Sequence, residues 1–204
     1  MQKQQSNTRR MAQLALFIAI IFVMRITGLT RIPIGPLYMT LSMIPIAIGA
    51  MLIGPAGGAA LGLVYGCTSL YDAITGASVM TGAFFQISPV HTVLLCVGTR
   101  VLVGFLTGWL FRAVHKIDRT KTVSYFVGGL LAPVLNTVLF LGYIVLFFYR
   151  TEFVQNMVVK LGASGPLMLV VLMVGVQGLL EAAGGLVIGG AVTKAVAHAI
   201  KQDK

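Results

Sequence analysis

Strongly polar side chains are rare in the apolar runs of this 204-residue chain, and the few that occur there are the ones that could do chemistry. Arg100 stands within the run 92–114, Asn136 near the middle of 123–149, and Gln177 and Glu181 four residues apart in 166–196. Tyr65 lies midway along 56–73, with Thr68, Ser69 and Asp72 following it. An ionisable group in such a run is costly to desolvate and is a functional candidate by default. A guanidinium suits an anionic group such as a carboxylate, which it holds through two parallel N–H···O bonds. The amides and hydroxyls would serve the rest of a polar ligand. Glu181, one helical turn from Gln177 on the same face, would contact the ligand or neutralise Arg100. The competing readings are an Arg100–Glu181 ion pair or a snorkelling arginine, and ordinary interhelical hydrogen bonds for Asn136 and Gln177.

Catalysis finds little foothold. The segment GASGP at 162–166 lacks nucleophile-elbow spacing, and there is no HExxH, no carboxylate pair and no Ser/His pair at one depth. No Walker sequence is present, so the chain does not hydrolyse a nucleotide by the P-loop route. Cys67 and Cys96 both fall in apolar runs and read as small buried hydrophobes, and no Cys/His cluster has zinc spacing. We therefore expect a non-catalytic protein with no metal and no cofactor.

The elements that position these residues follow from composition. Hydrophobic residues make up 57% of the chain and charged ones only 10%, against roughly 25% charged in a soluble domain. The expected fold is an all-α integral membrane protein, one domain over 1–204, with six spans at 11–27, 38–53, 56–73, 92–114, 123–149 and 166–196. Placing both termini in the cytoplasm puts ten of the fifteen Lys and Arg residues inside and four outside, with Arg100 in a span. That satisfies the positive-inside rule, and it accounts for the net charge of +10 without nucleic acid. With this orientation span four enters near His91, and Arg100 lies about 14 Å deep at 1.5 Å per residue. Gln177, counted from Pro166, lies about 16 Å deep, so several spans contribute to one polar layer. We read that layer as a small pocket opening outward, with Tyr38 and His91 near its outer rim as gate candidates.

The quoted segments also resemble a known family. A basic N-terminus leads into the small-residue helix MAQLALFIAI. It is followed by RIPIGPLYMTLSMIPIAIGAMLIGPAGGAALGLVYGCTSL and, in the fifth span, NTVLFLGYIVLF. Together these resemble the substrate-binding S component of energy-coupling factor (ECF) transporters, the bacterial vitamin importers, and IPIAIGAMLIGPAGGAALGLVYG is the most specific stretch. The resemblance implies six helices, an external pocket closed by the loop after the first helix, and no enzymatic activity. It also implies a transmembrane T subunit and two cytoplasmic ATPases as partners, in a bacterial cell membrane. The family's AxxxA docking motif for the T subunit matches Ala15 and Ala19, with Ala12 on the same face. LVYGCTSL and LNTVLFLGYIVLFFY look most like the pantothenate-specific members, for which Arg100 would take the carboxylate and Asn136, Gln177 and Tyr65 the remainder. The alternatives are an S component for riboflavin, folate or a similar vitamin, a solitary carrier coupled to protons through Glu181, and an assembly subunit without a ligand.

Overall fold

The computed structural model describes residues 2–29, 32–34, 37–39 and 41–199, with side chains at 7–29, 41–175 and 178–199. The first helix, α1 (Gln2–Ile26), buries Phe17 and Ile21, one turn apart, against α2 (Met43–Ile53) and α3 (Pro55–Ile74). Its other side leaves Ala12, Ala15, Leu16, Ala19 and Ile20 exposed. After α1 the chain forms a short antiparallel hairpin, β1 (Ile32–Ile34) and β2 (Leu37–Met39), with Pro33 opposite Tyr38. Apart from this hairpin every described element is a helix, as expected of an all-α protein, but the second span is corrected. Its first residues are strand, and the helix proper starts at Met43. At 11 residues α2 is about 16 Å long, half the thickness of a bilayer's hydrocarbon core.

Gly54 joins α2 to α3 at φ 102°, a backbone state that only glycine adopts without strain, and Pro55 then starts α3 at its first position. The 75–91 stretch, between the third and fourth expected spans, contains α4 (Val79–Ile87) and the start of α5 (Pro89–Ile117). Helix α5 carries a π turn at Leu94–Gly98, immediately before Thr99 and Arg100. The α5–α6 connection is tied by Asp118, whose carboxylate accepts from the Ser124 backbone N–H at 2.7 Å and from both the N–H and hydroxyl of Thr120. Those bonds, the Ser124 N–H foremost, hold its carboxyl far below the usual carboxylate range. The stabilisation they give is therefore fully present above the ordinary carboxylate pKa and is lost progressively as pH falls from there through the depressed one.

Helix α6 (Val123–Phe147) is followed by α7 (Glu152–Leu161) and α8 (Pro166–Gly175), which meet at 69°. The sixth expected span is broken at Gly175, where φ is 42°, and resumes as α9 (Gly178–Ala199). Among the described residues three helices, α5, α6 and α9, are long and apolar enough to cross a membrane, and the bent α7–α8 pair adds at most a fourth by that measure. Two apolar clusters hold the bundle together. One gathers Phe17, Ile21, Met43, Ile46, Leu61 and Tyr65, and the other Phe84, Leu95, Phe140, Ile144, Phe148 and Met173.

Candidate functional site

A cavity of about 710 Å³ is bordered by residues of both clusters, Ile21 and Tyr65 from the first and Phe140 and Met173 from the second. That size falls within the roughly 300–1,000 Å³ of small-molecule sites, and its wall is predominantly apolar with a few polar groups, as such sites usually are. Eight helices contribute to the wall, α8 through the apolar Leu172, Met173 and Val174 and the other seven with polar groups. α1 brings Arg25, α3 brings Tyr65, Thr68, Ser69 and Asp72, and α4 brings Thr81. α5 adds Arg100, α6 adds Asn136 and Thr137, α7 adds Asn156 and Lys160, and α9 adds Glu181.

Arg100 dominates the chemistry of this cavity. It is 7% exposed, and its guanidinium carbon sits 4.9 Å from the Tyr65 ring centroid and 4.7 Å from that of Phe140. Two aromatic faces therefore flank the cation, each contact worth about 0.5–2 kcal/mol. One Nη donates to the Leu95 and Cys96 carbonyls at 3.5 and 3.3 Å, long bonds to the π turn just upstream. The Nε has no partner, and Arg100 forms no ion pair among the described residues. The expected alternative of an Arg100–Glu181 ion pair is thus not formed. A buried cation without a counter-charge costs several kcal/mol, which an arriving anion would offset. Two further buried oxygens of cavity residues lack partners, Oδ1 of Asn136 and Oγ1 of Thr81. Native interiors satisfy most such groups, so three unsatisfied ones around one cavity point to a polar ligand.

Asp72 has a different environment. Arg25 donates to both its carboxylate oxygens, Nη2 to Oδ1 at 2.5 Å and Nη1 to Oδ2 at 3.1 Å, and Nη1 also reaches the Thr68 carbonyl at 2.9 Å. Arg25 borders the cavity and links the end of α1 to α3. This fork occupies the carboxylate that the sequence offered to a ligand. Asp72→Asn is accordingly expected to lower thermal stability by about 1–2 kcal/mol, a partly buried pair being worth more than a surface one. Ligand affinity should change by less than about threefold, because the cavity cation that lacks a counter-charge is Arg100 and not Arg25. Melting curves with and without ligand check both.

Of the other sequence candidates, Asn136, Tyr65 and Glu181 border the same cavity as Arg100. His91 does not. Its Nδ1 pairs with the Tyr143 hydroxyl at 2.9 Å and its ring stacks on Phe147 at 4.7 Å, in a separate aromatic group. The side chains of Tyr38 and Gln177 lie outside the described residues. Phe140, Phe153, Asn156 and Lys160 were not singled out from the sequence. Phe140 lies four residues after Asn136, so helical spacing was a usable signal for it. The α7 residues offered none, because that helix was unanticipated.

Residues 9–189 match the family described as ECF transporter, substrate-specific component. The chain is also 32% identical over 164 residues to the Pantothenic acid transporter PanT of Lactococcus lactis subsp. cremoris (strain MG1363). That alignment covers 72% of this chain and 78% of that protein.

Proposed function

The chain belongs to the substrate-specific component family of ECF transporters, and from that premise we propose that it binds pantothenate for ATP-driven import. As a family member it is a multi-pass membrane protein and a substrate-binding transport component, not a member of a catalytic family. The observation that carries the ligand assignment is the Arg100 guanidinium, buried between two rings at a cavity wall and lacking a carboxylate partner. Formal charge supports the same reading. The described lining residues include Arg25, Arg100 and Lys160 against Asp72 and Glu181, a net of one positive charge suited to one carboxylate. Pantothenate carries one carboxylate together with hydroxyls and an amide, which Asn136, Thr81 and Thr137 are equipped to bond. Similarity to a pantothenic acid transporter supports the choice among vitamins.

The energy source is proposed to be external: a T subunit and two cytoplasmic ATPases. The face of α1 bearing Ala12, Ala15 and Ala19 is exposed and small, which suits close approach by a partner helix. Six membrane-crossing segments with both termini inside is the arrangement favoured by the distribution of Lys and Arg.

Calorimetry of the purified protein with pantothenate, riboflavin, folate, thiamine and biotin tests the ligand. Binding of pantothenate alone is expected, and binding of another vitamin instead would overturn the assignment. Vitamin uptake that proceeds without co-expressed ATPase subunits would overturn the ATP-driven partnership. Within this reading Tyr65 acts through its ring. Tyr65→Phe should keep pantothenate affinity within about twofold, whereas Tyr65→Leu should weaken it about tenfold by removing one face of the guanidinium sandwich. A large loss in Tyr65→Phe would instead show that the hydroxyl contacts the ligand.

A further inference from the structure

We propose that Lys160 is an entry cation, which draws an anionic ligand to the cavity and hands it to Arg100 without holding it in the bound state. The inference rests on the anion-binding reading above. Lys160 is in the last turn of α7, and with Asn156, Phe153, Met157 and Leu161 it borders the cavity, so one face of that helix is turned to the site. A lysine is electrostatically at home at a helix C-terminus. What distinguishes Lys160 is that its side chain borders a ligand cavity while forming no ion pair among the described residues.

The three cations of the wall differ in how they can act. Arg25 has its charge answered by Asp72 through a two-bond fork. Arg100 is buried, so an anion reaches it only after shedding water. Lys160 is exposed and acts through solvent at longer range. A hydrated, unpaired charge beside low-dielectric walls raises the encounter rate of an oppositely charged ligand, and salt removes the effect within a Debye length of about 8–10 Å. A buried charge pair governs the off-rate instead. The two unneutralised cations are therefore assigned to successive stages, Lys160 to encounter and Arg100 to retention.

Stopped-flow binding to the purified full chain, in nanodiscs of uncharged lipid, tests this with pantothenate and its uncharged alcohol analogue, pantothenol. At ionic strength near 10 mM, Lys160→Gln should slow pantothenate association about 3- to 10-fold. The difference should vanish by about 0.5 M salt, and dissociation should be unchanged. Lys160→Arg should behave as wild type, and association of the alcohol should not respond to either variant. An unchanged association rate at low salt overturns the proposal. So does faster dissociation in Lys160→Gln, which would make the residue a direct contact of the bound ligand. Wild-type protein that binds neither molecule overturns the proposed function itself, a result distinct from wild-type binding that ignores Lys160.

Discussion

Arg100→Ala is expected to weaken pantothenate binding at least about 30-fold while leaving the protein folded. Truncating one member of a buried, hydrogen-bonded charge pair costs about 2–5 kcal/mol or more, and each 1.4 kcal/mol is a factor of ten. The ligand carboxylate would enter a cavity whose other described cations are neutralised or solvated, as Arg25 is by Asp72 and Lys160 is at the surface. Arg100→Lys should lose nearly as much. An ammonium has no planar fork for a carboxylate and stacks poorly between the Tyr65 and Phe140 rings. The unliganded Arg100→Ala protein should melt no lower than wild type, since the guanidinium is buried without a counter-charge. Calorimetry together with melting curves separates the outcomes. A variant that binds normally refutes the carboxylate role, and one that melts far lower without ligand assigns Arg100 to the bundle instead.

The second large effect concerns the packing that places Arg100. Along α3, Gly58 and Gly62 face the backbone of α5, and Gly104 of α5 faces Gly58 in return. A Cβ built at Gly58 would lie within 3.0 Å of the Gly104 carbonyl oxygen, and one at Gly62 equally close to that of Arg100 itself. The obstructing atoms are backbone, so no rotamer change relieves the clash and the helices must separate. Gly104→Val is expected to abolish monodisperse protein, at a cost of about 3 kcal/mol or more from overpacking. Gly62→Ala, the gentler change, should displace the α5 backbone at Arg100 and weaken ligand binding along with stability. Gly142→Ala is the control. A Cβ there meets nothing within 4 Å, and replacing glycine in a helix with alanine is neutral or slightly stabilising. Size-exclusion profiles and melting curves in detergent read all three. Normal stability of Gly104→Val would refute the close approach of α3 and α5.

Membrane insertion, the long helices and the anomalous burial of Arg100 were legible in the chain because each rests on a local property. A run of apolar residues forces intrasegment hydrogen bonding wherever it folds, and an arginine within it is anomalous whatever its neighbours. The α2–α3 break was legible for the same reason, since Gly54-Pro55 dictates its own backbone. The hairpin after α1, helices α4 and α7, and the break at Gly175 were not. Their segments are short, so tertiary packing decides among strand, helix and turn. At Gly175 an apolar run that reads as one helix is interrupted by a backbone state visible only in the fold.

The site divides along the same line. Arg100, Asn136, Tyr65 and Glu181 come from four different helices, and depth along each span was enough to anticipate that they share one cavity. Depth specifies a layer in the bilayer but not the rotation of a helix about its axis or its lateral neighbours. Only the tertiary structure could therefore assign Asp72 to Arg25, put His91 with Tyr143, and bring Lys160 to the cavity wall. By itself the sequence determined which residues were costly to bury. Their partners depended on helix packing, because pairing requires contact between elements far apart in the chain.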